Sequence, residues 1–168
     1  MIAAVVAVDK NWGIGYQGDL LAHIPEDLQH FKFLTEGNTI VMGRKTWDSL
    51  PKKPLPNRFN MVITRGPENH FYSGEEHTPS WFLPLDKALL TMLHDDIDDY
   101  FIIGGGEVYK ALLPLCDIVY VTKIDKEYEN VDTYFPNLDE AEDWEVSTRS
   151  AWHDHNDIPY AFLTYERV

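Results

Sequence analysis

Residues Ile2–Val8 read IAAVVAV, seven positions without one polar side chain. A strand with one wet face alternates apolar and polar residues, whereas a strand apolar at every position has no face to give to water. Such a strand belongs inside a sheet covered on both sides, and the usual cover is the helices of parallel crossovers. The rest of the chain supplies them. Pro25–Thr35 has helical spacing, residues 39–42 and 60–64 are short β-prone runs, and a third run at 81–83 leads into a helix over 85–93. Residues 100–103 form a strand that enters three glycines, 107–113 a helix closed by Pro114, and Ile118–Ile124 a further strand. Residues 144–151 and 159–167 read as two strands joined by the polar turn His153-Asp154-His155-Asn156-Asp157. This pattern predicts an α/β domain with a largely parallel sheet and an antiparallel edge. No repeat, low-complexity tract or long polar linker divides the 168 residues, a length that suits one domain. In such sheets ligands bind beyond the carboxyl ends of the strands, which directs attention to the loops after Val8, Met42, Thr64 and Ile103.

Charge narrows the partners. The net charge of −14 argues against a nucleic-acid backbone or an anionic membrane surface. It is unevenly spread: residues 38–66 hold Arg44, Lys45, Lys52, Lys53, Arg58 and Arg65 against Asp48 alone, so this segment carries +5 and the remainder −19. A basic island in an acidic chain suggests a site for small anions. The longest apolar run, residues 1–8, falls far short of the ~20 a spanning helix needs, and no basic segment precedes it as in a signal peptide. The lone cysteine, Cys116, can form neither an internal disulfide nor a cysteine-rich zinc site, and a reducing cytoplasm is the expected setting. His153 and His155 have no third ligand in view, so no metal is expected.

Three places carry potential chemistry. Pro25 suits a first helical position, and Glu26 and Asp27 then meet the positive end of the helix dipole. At 100° per residue, with Asp27 at 0°, Leu34, Phe31 and Leu28 lie near −20°, 40° and 100°. Asp27 thus sits on the apolar stripe, while Glu26 points off it. A carboxylate there needs a partner, either a ligand with N–H donors or a donor from the protein. In Ile102-Ile103-Gly104-Gly105-Gly106-Glu107-Val108-Tyr109 a strand leaves through glycines into a helix. Either a ligand approaches the backbone there, with a phosphate at the helix start, or the turn is merely tight. The dinucleotide fingerprint fails, because its third glycine would fall at Tyr109. Gly43-Arg44-Lys45-Thr46 lacks the spacing of a Walker loop and places cations against the dipole of the following helix. A bound anion held by Arg44, Thr64 and Arg65 would offset that cost, and an exposed basic patch is the other reading.

The order and spacing of several stretches resemble the dihydrofolate reductase family over the whole chain. They are Val6-Ala7-Val8-Asp9 through Gly13-Ile14-Gly15, Ile24-Pro25-Glu26-Asp27-Leu28 through Phe31-Lys32, and Val41-Met42-Gly43-Arg44-Lys45-Thr46-Trp47. They continue with Leu55-Pro56-Asn57-Arg58, Ile103-Gly104-Gly105-Gly106 through Tyr109, and Asp132-Thr133-Tyr134-Phe135-Pro136. The resemblance implies a mainly parallel eight-stranded central sheet with an antiparallel C-terminal strand and four flanking helices. It implies a single domain over 1–168, with roughly 38–97 binding the adenosine. The implied reaction is reduction of 7,8-dihydrofolate to 5,6,7,8-tetrahydrofolate for one-carbon metabolism, by hydride transfer from NADPH to C6 and protonation of N5. Asp27, Thr122 and Tyr109 would be the catalytic residues, with Asp27 on N3 and the 2-amino group of the pterin and Thr122 supporting it. Ala7, Leu28, Phe31 and Leu50 would wall the substrate, Val5 and Ile103 would turn carbonyls to the pterin, and Arg58 would clamp the glutamate carboxylate.

For the cofactor, the resemblance implies Gly104, Gly105 and Gly106 on the pyrophosphate, flanked by Glu107 and Val108, with Tyr109 near the nicotinamide. Arg44, Thr64 and Arg65 would take the 2′-phosphate, and Gly43, Lys45 and Thr46 would help hold the phosphates. Ala7, Ile103, Ile14, Gly15 and Leu20 would also touch the cofactor, residues 14–20 forming a mobile loop that closes over the nicotinamide. The expected partners are dihydrofolate and antifolate-type small molecules, and the expected state is a cytoplasmic monomer. Two departures stand out. Leu21 and Ala22 replace the family's usual proline and tryptophan, which bears on the proton path. An apparent extra residue near Asn130-Val131 precedes Asp132, which in the family contacts the mobile loop. Two rival readings share the cofactor elements: a reductase of the same fold acting on a pyrimidine in riboflavin synthesis, and a non-catalytic nucleotide-binding protein. Asp27, Phe31, Arg58 and Thr122 together favour the folate enzyme over both.

Overall fold

The computed structural model describes residues 1–73 and 78–168. Residues 74–77, inside the stretch 38–97 expected to bind adenosine, lie outside the described residues. In chain order the elements are β1 (Ile2–Val8), β2 (Gly13–Tyr16), β3 (Asp19–Leu20), α1 (Pro25–Thr35), β4 (Thr39–Gly43), α2 (Arg44–Ser49), β5 (Phe59–Ile63), β6 (Asn69–Ser73) and β7 (Thr78–Leu83). There follow α3 (Leu85–His94), β8 (Tyr100–Gly104), α4 (Gly106–Leu112), β9 (Ile118–Ile124), β10 (Thr133–Tyr134), β11 (Trp144–Arg149), β12 (His153–His155) and β13 (Ile158–Arg167).

The main sheet runs β11-β13-β9-β1-β8-β4-β5-β7-β6, with β12 paired to β13. As its composition demands, β1 is internal, flanked in parallel by β8 and β9. Its alternate residues feed two cores. Ala4, Val6 and Val8 pack with Trp12, Tyr109, Phe135 and Tyr165, while Ala3 packs with Ile40, Met42 and Phe101. The parallel centre, the antiparallel C-terminal region and the four α-helices among the described residues match expectation. The strand number does not: among the described residues the main sheet has ten strands rather than eight. The short polar strand β12, sequence HDH, offers no apolar alternation to read. Likewise β6, sequence NHFYS, is an edge strand that pairs antiparallel with β7. The polar turn shrinks to Asn156-Asp157, whose φ values of 49° and 64° are those of a tight two-residue hairpin.

The expected mobile loop over 14–20 is also a hairpin. β2 and β3 pair through Gln17-Gly18, with φ of 51° and 80°, and β10 pairs the other edge of β2. Phe135 fastens this small sheet to the main core. It is buried, donates its N–H to Trp12 O at 2.8 Å, stacks near Trp12 at 6.3 Å and meets Tyr109 edge-on at 5.0 Å. Removing a ring so enclosed loses transfer free energy and leaves a cavity, so Phe135→Ala should cost about 3–5 kcal/mol in urea unfolding. A loss below about 1 kcal/mol would show that the neighbouring rings close over the gap.

Candidate active site

The carboxyl ends of β1 and β9, the small sheet and α1 line an open cleft. Ala7, Asp9, Ile14, Leu20, Asp27 and Leu28 are among its lining. Asp27 enters from the first turn of α1, behind Pro25, as the helix-start pattern requires. The Thr122 hydroxyl donates to Asp27 Oδ1 at 2.5 Å. Thr122 is buried on β9 directly beside Ala7 of β1, so sheet register fixes the donor and α1 brings the acceptor. Burial pushes the Asp27 carboxyl above the usual carboxylate range; the Thr122 hydrogen bond and the nearby His30 act in the opposite sense. The apolar stripe faces this open cleft rather than a closed core: Leu28 is 54% exposed, and Phe31 and Leu34 are half-buried. This is why the stripe can carry a carboxylate.

Farther along α1 lies Arg58. It is buried, its Nε donating to Pro56 O at 2.9 Å and its Nη1 to Thr35 Oγ1 at 3.1 Å, with the guanidinium 5.8 Å from the Phe31 ring centroid. Burial lowers its proton affinity and Glu36 raises it, yet no carboxylate closes on it in an ion pair among the described residues. A buried cation held on one side by neutral acceptors is suited to an incoming carboxylate. Leu50, half-buried at the end of α2, packs on the core nearby.

Across the sheet, register explains the glycine turn. Val41 pairs with Ile102 and Met42 with Gly104, so Ile103 is the extra residue of a bulge where β8 leaves the sheet. Gly104 takes φ of +123°, which favours glycine, and the Gly104–Gly105 peptide is cis. The turn is a cradle that side chains would fill. A Cβ on Gly104 would meet the Tyr109 ring at 3.4 Å, one on Gly105 would meet Thr46 Oγ1 at 3.5 Å, and one on Gly43 would meet Val108 at 3.0 Å. No side chain caps the N-terminus of α2 or of α4, which starts at Gly106 and continues through Glu107 and Val108. Backbone N–H groups are thus left for an anion where β4 and β8 end side by side. Tyr109 is buried and donates to Val5 O at 2.6 Å, and burial raises its phenol far above the ordinary value.

The basic residues also gather by register. Gly43 pairs with Ile63, so Arg44 and Thr64 leave adjacent strands at the same level, and Arg65 follows. Arg44 is exposed, bonded through Nε to Asp48 at 3.2 Å, with its guanidinium 5.4 Å from the Phe82 ring centroid. Thr64 is buried, its Oγ1 accepting from the Gly66 N–H at 3.1 Å. These donors and the glycine cradle fit a phosphorylated dinucleotide. Lys45 and Arg65 are exposed and Thr46 is half-buried.

On the small sheet, Ile14 and Gly15 are buried and Leu20 is 56% exposed beside the cleft. Asp132 contacts this hairpin despite the extra residue before it. Its carboxylate accepts from Gln17 N at 2.8 Å and its own N–H donates to Gly15 O at 3.0 Å. Leu21 and Ala22, in place of proline and tryptophan, line the cleft. Two residues escaped the reading of the sequence. Asp9 is a buried carboxylate that accepts from Asn11 N at 2.9 Å, Gly13 N at 2.8 Å and Tyr128 N at 3.3 Å, thereby tying the turn before β2. His30 lies near Asp27, and its position three residues on along α1 was the available signal.

The family model described as dihydrofolate reductase matches residues 1–167. The dihydrofolate reductase of Bacillus subtilis (strain 168) is 37% identical over 175 residues, spanning 99% of this chain and 95% of that protein. The type 3 dihydrofolate reductase of Salmonella typhimurium is 38% identical over 169 residues, spanning 99% and 98%. Among solved structures, dihydrofolate reductase from Enterococcus faecalis complexed with NADP(H) and RAB-propyl superposes with a TM-score of 0.81 at 33% identity, covering 99% of this chain and 96% of that one. With its bulged glycine turn and its threonine-held carboxylate, the chain belongs to the dihydrofolate reductase family.

Proposed function

We propose that this chain reduces 7,8-dihydrofolate to 5,6,7,8-tetrahydrofolate, with Asp27 as the anchor of the pterin ring. The observation that carries the residue assignment is the Asp27 carboxylate on the cleft wall, with one oxygen held by Thr122. A carboxylate so placed accepts two parallel N–H bonds, and the pterin offers that pair at N3 and its 2-amino group. NADPH, when bound, supplies the hydride that goes to C6 as N5 gains a proton. The chain's own groups orient and enclose. Ala7, Leu28, Phe31 and Leu50 wall the rings, Val5 and Ile103 present carbonyls, and Arg58 pairs with the glutamate carboxylate.

For the cofactor, Gly43, Lys45, Thr46, Gly104, Gly105 and Gly106 would hold the phosphates beside Glu107 and Val108, with Tyr109 behind the nicotinamide. Arg44, Thr64 and Arg65 would select the 2′-phosphate, and residues 38–97 form the adenosine side of a single domain. Ile14, Gly15 and Leu20 would close over the reacting rings and exclude water, with Asp132 holding the hairpin. The same reading makes the product a donor for one-carbon metabolism, antifolate-type molecules competitors at Asp27, and the enzyme a cytoplasmic monomer. No helix among the described residues is long and apolar enough to cross a membrane.

Asp27→Asn should lower turnover at neutral pH by roughly 10²–10⁴-fold, the range for a positioned proton-handling group. NADPH oxidation in the presence of dihydrofolate measures it, and near-normal turnover removes Asp27 from the mechanism. The same variant has a stability signature. Unfolded Asp27 ionises in the ordinary range and the folded carboxyl only at higher pH, so the penalty grows as pH rises through the folded value and vanishes below the unfolded one. Asp27→Asn should therefore gain thermal stability over wild type at neutral pH, and this gain should disappear in acid. Arg44→Ala should weaken NADPH by about 1.5–3 kcal/mol while sparing NADH. Equal losses for both cofactors would detach Arg44 from the 2′-phosphate. Arg58→Ala should raise KM for dihydrofolate but not the Kd of pterin fragments without the glutamate; titration calorimetry with both ligands decides.

A further inference from the structure

Asp27 shares its helix with a second titratable group. His30 follows one turn later, and its ring stacks on Phe162 with centroids 4.1 Å apart and planes 30° from parallel. Phe162 is the cross-strand partner of Thr122, whose hydroxyl holds Asp27. One pair of strands therefore fixes both groups: β9 holds the carboxylate through Thr122, and β13 holds the imidazole through Phe162. The two do not close into an ion pair, and no ring nitrogen of His30 has a hydrogen-bond partner among the described residues.

We propose that His30 is a positioning residue of the pterin site, forming with Asp27 one coupled acid–base pair in which the charge on each sets the proton affinity of the other. The functional meaning rests on the reading of Asp27 as the pterin anchor. The surroundings leave Asp27 as the partner. On the elements packed there, α1 adds Glu26, β12 adds His153, Asp154 and His155, and β13 adds Tyr160. Glu26 faces His155 at 3.7 Å, and His153 lies over Tyr160 at 5.5 Å and beside Phe162 at 5.7 Å, with Phe162 between His153 and His30 as a shared ring contact. Among the described residues Asp27 is the one charged group that acts on His30. Burial moves the two toward each other, raising the carboxyl and lowering the imidazole from their ordinary values. Opposite charges one helical turn apart each favour the other's ionised form.

The consequence is reciprocal stabilisation of charge: an imidazolium at His30 opposes protonation of Asp27, and an ionised Asp27 favours the imidazolium. The site thereby favours the carboxylate form, the one that accepts from the pterin N–H groups.

The test is a reciprocal titration of the full-length, ligand-free protein by NMR, following the His30 Cε1–H and the Asp27 carboxyl carbon. In His30→Gln the Asp27 midpoint should rise by about half a pH unit or more, and in Asp27→Asn the His30 midpoint should fall by the same amount. His30→Lys, a permanent cation, should move the Asp27 midpoint downward. If His30→Gln fails to fold, His30→Phe keeps a ring against Phe162 and carries the same expectation. Unchanged midpoints, a shift in only one group, or shifts of the same sign in His30→Gln and His30→Lys overturn the proposal, because a purely structural role obeys no such reciprocity. Uncoupled titration would leave dihydrofolate reduction standing. Absence of dihydrofolate-dependent NADPH oxidation in the wild type would reject that function without touching the coupling.

Discussion

The hydrogen bond from Thr122 to Asp27 joins a helix to the middle of a sheet, and the cleft is arranged around it. Thr122 reaches the cleft because it is buried next to Ala7, and that register holds because β1 and β9 pair along their lengths. Asp27 reaches the same point because Pro25 starts α1 two residues earlier, so the carboxylate emerges in the first turn. Neither element could slip without losing the contact: a one-residue shift of β9 would turn Thr122 to the opposite face of the sheet. The all-apolar β1 therefore does more than fill the core. It sets the register from which the polar groups are measured.

The parts legible in the sequence are those whose pattern is local. β1 is legible because every position is apolar, α1 because proline and two acids open it, and the glycine turn because three consecutive glycines leave a strand. The β2–β3 hairpin is not, because GIGY and DL carry no alternation of their own. It exists through pairing with β10, through Asp132 and through Phe135, all more than 100 residues away in sequence. The same holds in part for Asp9, one oxygen of which accepts from the Tyr128 N–H, 119 residues away in sequence. The bulge at Ile103 is invisible as well, since it appears only when β8 is laid against β4.

His30 shows a different kind of limit. Its spacing from Asp27 is plain in the sequence, but an imidazole on a helix says nothing until Phe162 is placed beneath it. That placement follows from the antiparallel register of β13 on β9, which sets Phe162 opposite Thr122. The polar groups of the cleft thus inherit their geometry from two kinds of strand pairing. Parallel pairing of β1 and β9 presents Thr122, and antiparallel pairing of β13 and β9 presents the ring behind it.

The uneven charge now has a structural meaning. Arg44, Thr64 and Arg65 leave adjacent strands at one level, and Arg58 lies buried at the far end of α1. The three arginines lie within the segment of +5 in a chain of −14. An anionic ligand meets a repulsive field at long range and attractive donors at contact. At physiological ionic strength fields decay over about 8 Å, so distant acids are largely screened while the local donors are not. Buried Arg58 is screened less than exposed Arg44, which is also engaged by Asp48. Added salt should therefore weaken an anion's contact with Arg44 before its contact with Arg58, because the Arg44 side chain lies in water and that of Arg58 is buried.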